Sequence, residues 1–157
     1  MTRLCGVIER LGANPVFDGH AEVSISLAAL GLRVNDDLAR GQAREVCQIA
    51  RDNHVAVTVD DGGPDVHDRS HRMVMDLLAD YEDTGIVIQA ARHDSLMQVR
   101  ELAAPGRRIR LCKGSYIGPR SVTLIRPHDV DLRMAACLRA LMAGPSTVML
   151  ALSLIHI

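Results

Sequence analysis

Apolar residues in this chain form five short runs, separated by longer segments in which apolar and polar residues mix. The runs are rich in β-branched residues and end at polar or glycine-rich turns, a pattern typical of strands. They cover residues 22–27, 55–59, 86–88, 108–112 and 147–151. Because several runs are almost continuously apolar, the pattern predicts strands buried on both faces, as in a parallel sheet.

The segments between these strands place apolar residues three or four apart, the spacing of one helix face. Asn35 predicts the start of the first helix, Asp68 that of the second and Asp94 that of the third. Gly85 is expected to end the second helix. The predicted apolar positions are Leu38, Ala43, Val46, Cys47 and Ala50; Met73, Val74, Leu77, Leu78 and Tyr81; Leu96, Val99 and Leu102; and Leu132, Ala136, Leu138, Leu141 and Met142.

Alternating strands and helices predict parallel βαβ units, in either an open doubly wound sheet or a (β/α)8 barrel. No GxGxxG motif follows a strand, so the dinucleotide-binding form of the open sheet lacks its fingerprint. Asp60, Gln89 and Lys113 each end a predicted strand, where barrel enzymes collect their reactive groups. A full barrel takes about 250 residues, so this α/β chain is predicted to form a partial (β/α)8 barrel of about five βα units.

Composition narrows the class of protein. Hydrophobic residues make up 48% and charged residues 24% of the 157 residues, as in an ordinary globular domain. The net charge of -1 offers no electrostatic footprint for nucleic acid, so no such partner is expected. No apolar run reaches the roughly 18 residues of a membrane helix, so no integral membrane segment is expected. Four scattered cysteines without a CxxC pair indicate a reducing, cytoplasmic location.

The strand at 108–112 carries charge on one face. Arg108, Arg110 and Cys112 alternate with apolar residues and so share a side of the strand. A guanidinium in a covered sheet needs an anion or an acceptor, because an unpaired buried charge is very costly. The residues leave two interpretations of Arg110: a contact to a bound ligand, or a salt bridge to a strand-end carboxylate such as Asp60.

Three other strand-end residues are equally ambiguous. Asp60, after an apolar run, is either a turn former or a reactive carboxylate. Gln89 either caps the hydrogen bonds of its strand or contacts a ligand. Gly114 would let a ligand approach the backbone closely, although glycine is common in any loop.

Four segments together resemble one enzyme family. Residues 110–116 (RLCKGSY) resemble the R-L-x-K-G-A-Y signature of the proline dehydrogenases. Residues 57–60 (VTVD) resemble the strand of that family's active-site aspartate, and residues 87–90 (VIQA) resemble its flavin-contacting glutamine strand. Residues 22–27 (EVSISL) resemble its E-V-S-V-K-L strand. These matches follow in family order.

The resemblance implies a (β/α)8 barrel that binds FAD and oxidises L-proline to 1-pyrroline-5-carboxylate in proline catabolism. It implies Asp60 and Arg110 as catalytic residues and a quinone-type electron acceptor. It also implies a cytoplasmic protein, with peripheral binding at the inner membrane face. The positions that match the family's flavin contacts, with Asp61 beside them, are Asp61, Gln89, Arg110, Cys112, Lys113 and Gly114.

The chain also departs from the family pattern. Ser26 stands where the family has a substrate-site lysine, and Ala91 stands where it has a tyrosine. Residues 1–151 are expected to form a partial proline dehydrogenase domain, and residues 152–157 a tail outside the family pattern, with non-native sequence as one explanation. We expect the isolated chain to bind FAD weakly or not at all, because half of the shell that surrounds the cofactor in the family is missing.

Two further hypotheses compete with this one. Asp65, His67, Asp68 and His71 could form a metal site, because histidines four apart share a helix face and suit zinc. A solvated, charge-rich helix start is the competing interpretation of that segment, and no metal ligand is assigned. In the other hypothesis, the chain is a non-catalytic fragment that acts as an interaction module through exposed strand edges.

Overall fold

A computed structural model describes residues 2–63, 65–114 and 118–152 of the chain. The strands are β1 (Glu22–Ser26), β2 (Ala56–Asp60), β3 (Gly85–Gln89), β4 (Arg108–Cys112) and β5 (Thr147–Ala151). The α-helices are α1 (Thr2–Gly12), α2 (Asp36–Asp52), α3 (His67–Asp80), α4 (Ser95–Leu102) and α5 (Pro127–Met142). A short π-helical segment covers Ala28–Leu32. The predicted alternation of strands and helices is confirmed.

The five strands follow chain order in the sheet, β1-β2-β3-β4-β5. The chain divides into two compact units, residues 1–85 and 86–157. In the first unit β1 pairs in parallel with β2, with Ser26 opposite Asp60. In the second unit β4 pairs in parallel with both β3 and β5, with Leu111 opposite Ile88 and Leu150. Parallel pairing brings the carboxyl ends of neighbouring strands to the same edge.

The core of the first unit lies between one face of β1 and β2 and the helices that follow them. Alternate strand residues are buried on this face: Val23, Ile25, Val57 and Val59. The helices contribute Ala39, Ala43, Val46 and Ala50 from α2 and Met73, Val74, Leu77 and Leu78 from α3. Burying one such aliphatic side chain contributes about 1.5–3 kcal/mol. The other face is largely polar, because Glu22, Ser24, Ser26, Thr58 and Asp60 alternate with the buried residues.

The core of the second unit is built on β3 and β4. Its buried strand residues are Ile86, Ile88, Ile109 and Leu111, and its buried helical residues include Val99, Leu102, Met134, Cys137 and Leu141. Helix α5 packs against both α4 and β4. The predicted two-faced character of β4 is confirmed, because Ile109 and Leu111 are buried while Arg108, Arg110 and Cys112 are half-buried.

The predicted helix starts are confirmed in part. The Asn35 carboxamide oxygen accepts a hydrogen bond from the Leu38 amide at 2.9 Å, so Asn35 caps α2. The predicted cap Asp68 is wrong, since α3 begins at His67 and Asp68 lies in its first turn. Asp94 precedes α4, but its carboxylate accepts hydrogen bonds from Arg92 and Gln98 rather than capping the helix.

The predicted end of α3 is also wrong. The helix stops at Asp80, and Gly85 is instead the first residue of β3. A side chain at Gly85 would place its Cβ 2.3 Å from the Thr58 hydroxyl, so close packing explains this glycine. Tyr81, predicted on the inner face, is half-buried, and the Arg51 guanidinium lies 4.4 Å from its ring centroid.

Two helices depart from the predicted faces at some positions, although Ala43, Val46, Cys47 and Ala50 of α2 and Leu141 of α5 are buried as predicted. In α2, Ala39 is buried in place of Leu38, which is 45% exposed. In α5, Leu132 and Met142 are 58% and 70% exposed. The face that α5 buries is that of Met134, Cys137 and Leu141. Helical spacing defines candidate faces, but contact with the sheet decides which face is covered.

Candidate functional site

The predicted site residues lie at or near strand ends in both units. In the first unit they are Ser26, Asp60 and Asp61, at the ends of β1 and β2. In the second unit Gln89, Cys112, Lys113 and Gly114 lie at the ends of β3 and β4, while Arg110 lies in the middle of β4. The predicted placement of Asp60, Gln89 and Lys113 at strand ends is therefore confirmed, and each unit presents its own group of candidate residues.

Asp60 is the last residue of β2 and is half-buried. The Ser24 hydroxyl donates a hydrogen bond to Asp60 Oδ2 at 2.5 Å. Ser26 lies opposite Asp60 in the strand register. Ser24 was not among the predicted site residues. The available signal was its alternation with buried residues, which places Ser24 and Ser26 on the same face as Asp60.

Asp61 turns into the loop that follows β2. Its Oδ1 accepts a hydrogen bond from the Gly63 amide at 3.1 Å, and its Oδ2 lies 2.9 Å from His67 Nδ1. The Asp61 and His67 side chains are only 8% and 12% exposed. This carboxylate therefore stabilises the loop between β2 and α3, while its contact to a flavin stays a prediction.

Arg33, which is not part of this loop, binds the loop through hydrogen bonds. Its guanidinium donates to the Gly62 carbonyl at 2.9 Å and to the Asp65 carboxylate at 2.8 and 3.1 Å. The hydrogen bond from Arg33 holds the pKa of Asp65 below its usual value. Gly62 fits because a Cβ there would lie 2.8 Å from a Val66 methyl carbon. Gly62 thus serves the packing of this loop.

The metal hypothesis finds no complete ligand set here. The His67 and His71 rings stack with centroids 6.4 Å apart, and His67 contacts Asp61 through Nδ1. Asp65 is engaged by Arg33. Within residues 2–63, 65–114 and 118–152, no group of three or more His, Cys, Asp or Glu side chains is placed to hold a metal ion.

Gln89 and Gly114 lie against each other at the ends of β3 and β4. Gln89 is 6% exposed. Gly114 has a φ of 119°, a conformation that favours glycine, and a Cβ there would lie 2.9 Å from Gln89 Oε1. The Ala90 amide donates to the Cys112 carbonyl and the Ala91 amide to the Lys113 carbonyl, both at 2.8 Å. Strand pairing therefore continues beyond β4 and holds the backbone up to Lys113, directly before Gly114.

Arg110 lies in the middle of β4, opposite Val87 on β3 and Met149 on β5. Its side chain is half-buried on the polar face of that strand. A guanidinium stays charged at every physiological pH, so Arg110 places a permanent positive charge on this face. Cys112 follows two residues later on the same face. The signature positions Ser115 and Tyr116 lie outside the described residues.

Lys113 is held by helix α5. Its ammonium lies 2.5 Å from an Asp131 carboxylate oxygen, and both side chains are about half exposed. Exposed ion pairs contribute only about 0–1 kcal/mol, so this contact mainly orients the lysine. The predicted contact of Lys113 to a flavin remains a prediction. No helix in the described part of the chain is long and apolar enough to cross a membrane.

Comparison with known proteins supports one family. No family model matches the sequence. The protein named proline dehydrogenase 1 from Bacillus subtilis strain 168 is 24% identical over 120 residues, which cover 76% of this chain and 40% of the relative. Proline dehydrogenase 1 from Bacillus subtilis subsp. natto is 24% identical over 119 residues, with 76% and 39% covered. The chain thus spans about two fifths of the length of these curated relatives.

Solved structures show the same fold. Proline utilization A (PutA) from Bdellovibrio bacteriovorus, inactivated by N-propargylglycine, matches with a TM-score of 0.67 and 20% identity, over 83% of this chain and 16% of that one. A mutant PutA from Bradyrhizobium japonicum matches with a TM-score of 0.76 and 20% identity, over 94% and 19%. The predicted resemblance and the predicted partial barrel are both confirmed.

Proposed function

We propose that this chain, similar to proline dehydrogenases over three quarters of its length, forms part of a domain that oxidises L-proline with FAD. The observation that carries the proposal is this similarity, together with the location of Asp60 and Arg110 on the strands where the resemblance requires them. The product would be 1-pyrroline-5-carboxylate.

The residues at the ends of β3 and β4 fit a flavin. The side chains proposed to hold it are Gln89, Arg110, Cys112 and Lys113, with Asp61 from the β2 loop. Gly114 has no side chain, so a ligand can approach its backbone. A Cβ at this position would lie close to the Gln89 side chain. A flavin ring presents mainly hydrogen-bond acceptors, and the amide, guanidinium and ammonium groups here are donors. The donor set therefore suits the cofactor that the resemblance implies.

Bound FAD would supply the hydride acceptor for proline oxidation. Arg110 provides a positive charge that no physiological pH removes, and such a charge stabilises negative charge that develops nearby. The Asp60 carboxylate provides the negative charge that a cationic proline nitrogen requires. We therefore assign catalytic roles to Asp60 and Arg110, and place Ser26 at the substrate position of the family lysine.

The wider setting follows from the same resemblance. We propose a quinone-type electron acceptor and a cytoplasmic protein that binds peripherally at the inner face of a membrane. We assign residues 1–151 to the domain and residue 152 onward to a tail outside the family pattern. Residues 153–157 of that tail lie outside the described residues.

The test is the absorbance spectrum of the purified chain with added FAD, before and after excess L-proline without oxygen. A retained flavin that bleaches with proline supports the proposal and overturns the expectation that the isolated chain binds FAD weakly or not at all. Arg110→Lys should slow bleaching at least about tenfold, because lysine loses the planar fork of the guanidinium. Arg108→Lys, two residues earlier on the same strand face, is the matched control and should change the rate less than about twofold.

Two results would contradict the proposal. If the purified chain retains no flavin, this chain does not carry out FAD-dependent turnover. Bleaching that R110K and R108K slow to the same extent would remove Arg110 from the reaction.

A further inference from the structure

Ser24 reaches Asp60 from the neighbouring strand. The register places Ser26, not Ser24, opposite Asp60. The hydrogen bond of 2.5 Å from the Ser24 hydroxyl to Asp60 Oδ2 therefore joins side chains that are two positions apart in the register. Among the described residues, Ser26 has no side-chain hydrogen-bond partner, although it lies on the same face. The two serines share their strand, but only Ser24 donates a hydrogen bond to Asp60.

The chemistry of this contact favours a strong hydrogen bond. A hydroxyl has one proton to donate, and the Ser24 hydroxyl lies 2.5 Å from Asp60 Oδ2 and 3.4 Å from the Thr58 carbonyl oxygen. The shorter contact goes to a carboxylate, and hydrogen bonds between a hydroxyl and a charged oxygen are typically about 2.5–2.7 Å long. The proton is therefore directed to Asp60. Fixing one oxygen of a planar carboxylate also fixes the direction in which the other oxygen points.

We propose that Ser24 is a positioning residue that holds the Asp60 carboxylate in a single orientation. The inference rests on the function proposed above, in which Asp60 is a catalytic residue. Ser24 acts through Asp60 and needs no contact with the substrate. A small change in the direction of a catalytic carboxylate reduces rate far more than binding, because productive geometry is narrow.

The contact itself is tested by a double-mutant cycle with Ser24→Ala, Asp60→Ala and the double variant, using urea unfolding of the full chain. We expect the effects on the unfolding equilibrium constant to be non-additive by about threefold to tenfold. The matched cycle uses S26A with D60A and should be additive within about twofold. An additive S24A/D60A cycle would overturn the proposal.

The positioning role is tested by the rate of proline-dependent flavin bleaching. S24A should lower the limiting rate about tenfold, while the proline concentration at half-maximal rate and the flavin dissociation constant stay within about twofold. Ser24→Thr keeps the hydroxyl on a residue that suits a strand, so it should restore most of the rate. Equal loss in S24A and S24T, or a loss confined to flavin affinity, would show that only strand packing is affected.

The two proposals fail in different ways. If the wild-type chain retains no flavin, the proposed function fails, yet the unfolding cycle still decides whether Ser24 holds Asp60. If flavin bleaches normally in S24A, the proposed function stands and the positioning role is overturned.

Discussion

The pairs β1-β2 and β4-β5 have the same length and direction but differ in burial. Ile25 and Val59 lie opposite each other in β1 and β2 and are 4% and 1% exposed. Leu111 and Leu150 lie opposite each other in β4 and β5 and are 0% and 45% exposed. All four of these residues are apolar, so apolar character alone does not determine whether a strand residue is buried. Helices from the same unit cover β2 and β4, while most of β5 remains exposed.

The largest expected effect comes from the asymmetry within β4-β5. Leu111→Ala should lower the free energy of unfolding by about 3 kcal/mol, because it opens a cavity in a fully buried position. Leu150→Ala, its register partner, should cost less than about 1 kcal/mol, because that side chain already contacts solvent. Urea denaturation of both variants measures the difference. Equal losses would mean that Leu150 is covered in solution.

A smaller effect, of opposite sign, is expected in β2. The Thr58 side chain is 1% exposed, and its hydroxyl has no hydrogen-bond partner among the described residues. Thr58→Val keeps the shape and removes an unsatisfied polar group, so it should raise the free energy of unfolding by about 1 kcal/mol. Thr84→Val is the control, since the Thr84 hydroxyl contacts the Cys47 sulfur at 4.0 Å, and it should not stabilise. A destabilised T58V would show that this hydroxyl finds a partner in solution.

The smallest expected effect is a loss of stability in acid, which comes from two carboxylates of the first unit. Hydrogen bonds from Arg69 and Arg33 lower the pKa of Asp36 and of Asp65 below the ordinary 3.8. Each pair therefore stabilises the fold above about pH 4, and this contribution is lost as pH falls through the lowered pKa. The melting temperature should fall between pH 5 and pH 3, and D65N should flatten that fall. D18N, which also removes one negative charge, should leave the slope unchanged.

Strand positions could be predicted because β-branched runs alternate with polar residues. The observed bounds of every predicted strand agree with the prediction to within one residue. Helix faces were harder, since the choice between Leu38 and Ala39 depends on where the sheet lies. Helix α1 was missed, although Leu4, Ile8 and Leu11 are spaced like one helix face. The π-helical segment depends on Gly31, whose φ of 102° could not be inferred from the pattern.

The candidate site likewise contains residues that could be predicted from the sequence and contacts that could not. Asp60, Gln89 and Arg110 could be placed at or near strand ends from the sequence, because their neighbours are apolar and the family resemblance fixes their order. The partners of Asp60 and Asp61 could not be predicted. Ser24 is 36 residues from Asp60, and the contact of Asp61 with His67 depends on how a loop closes onto a helix. Such contacts depend on tertiary structure, which local periodicity does not predict.

The hydrogen bond between Ser24 and Asp60 also makes chain alignment a condition for chemistry. Side chains alternate along a strand, so a slip of one residue between β1 and β2 would turn Ser24 to the helix side and bring Val23 or Ile25 to the carboxylate. The same slip would expose the apolar face that now packs on the helices. The hydrophobic core that fixes the register of β1 and β2 therefore also fixes the orientation of Asp60.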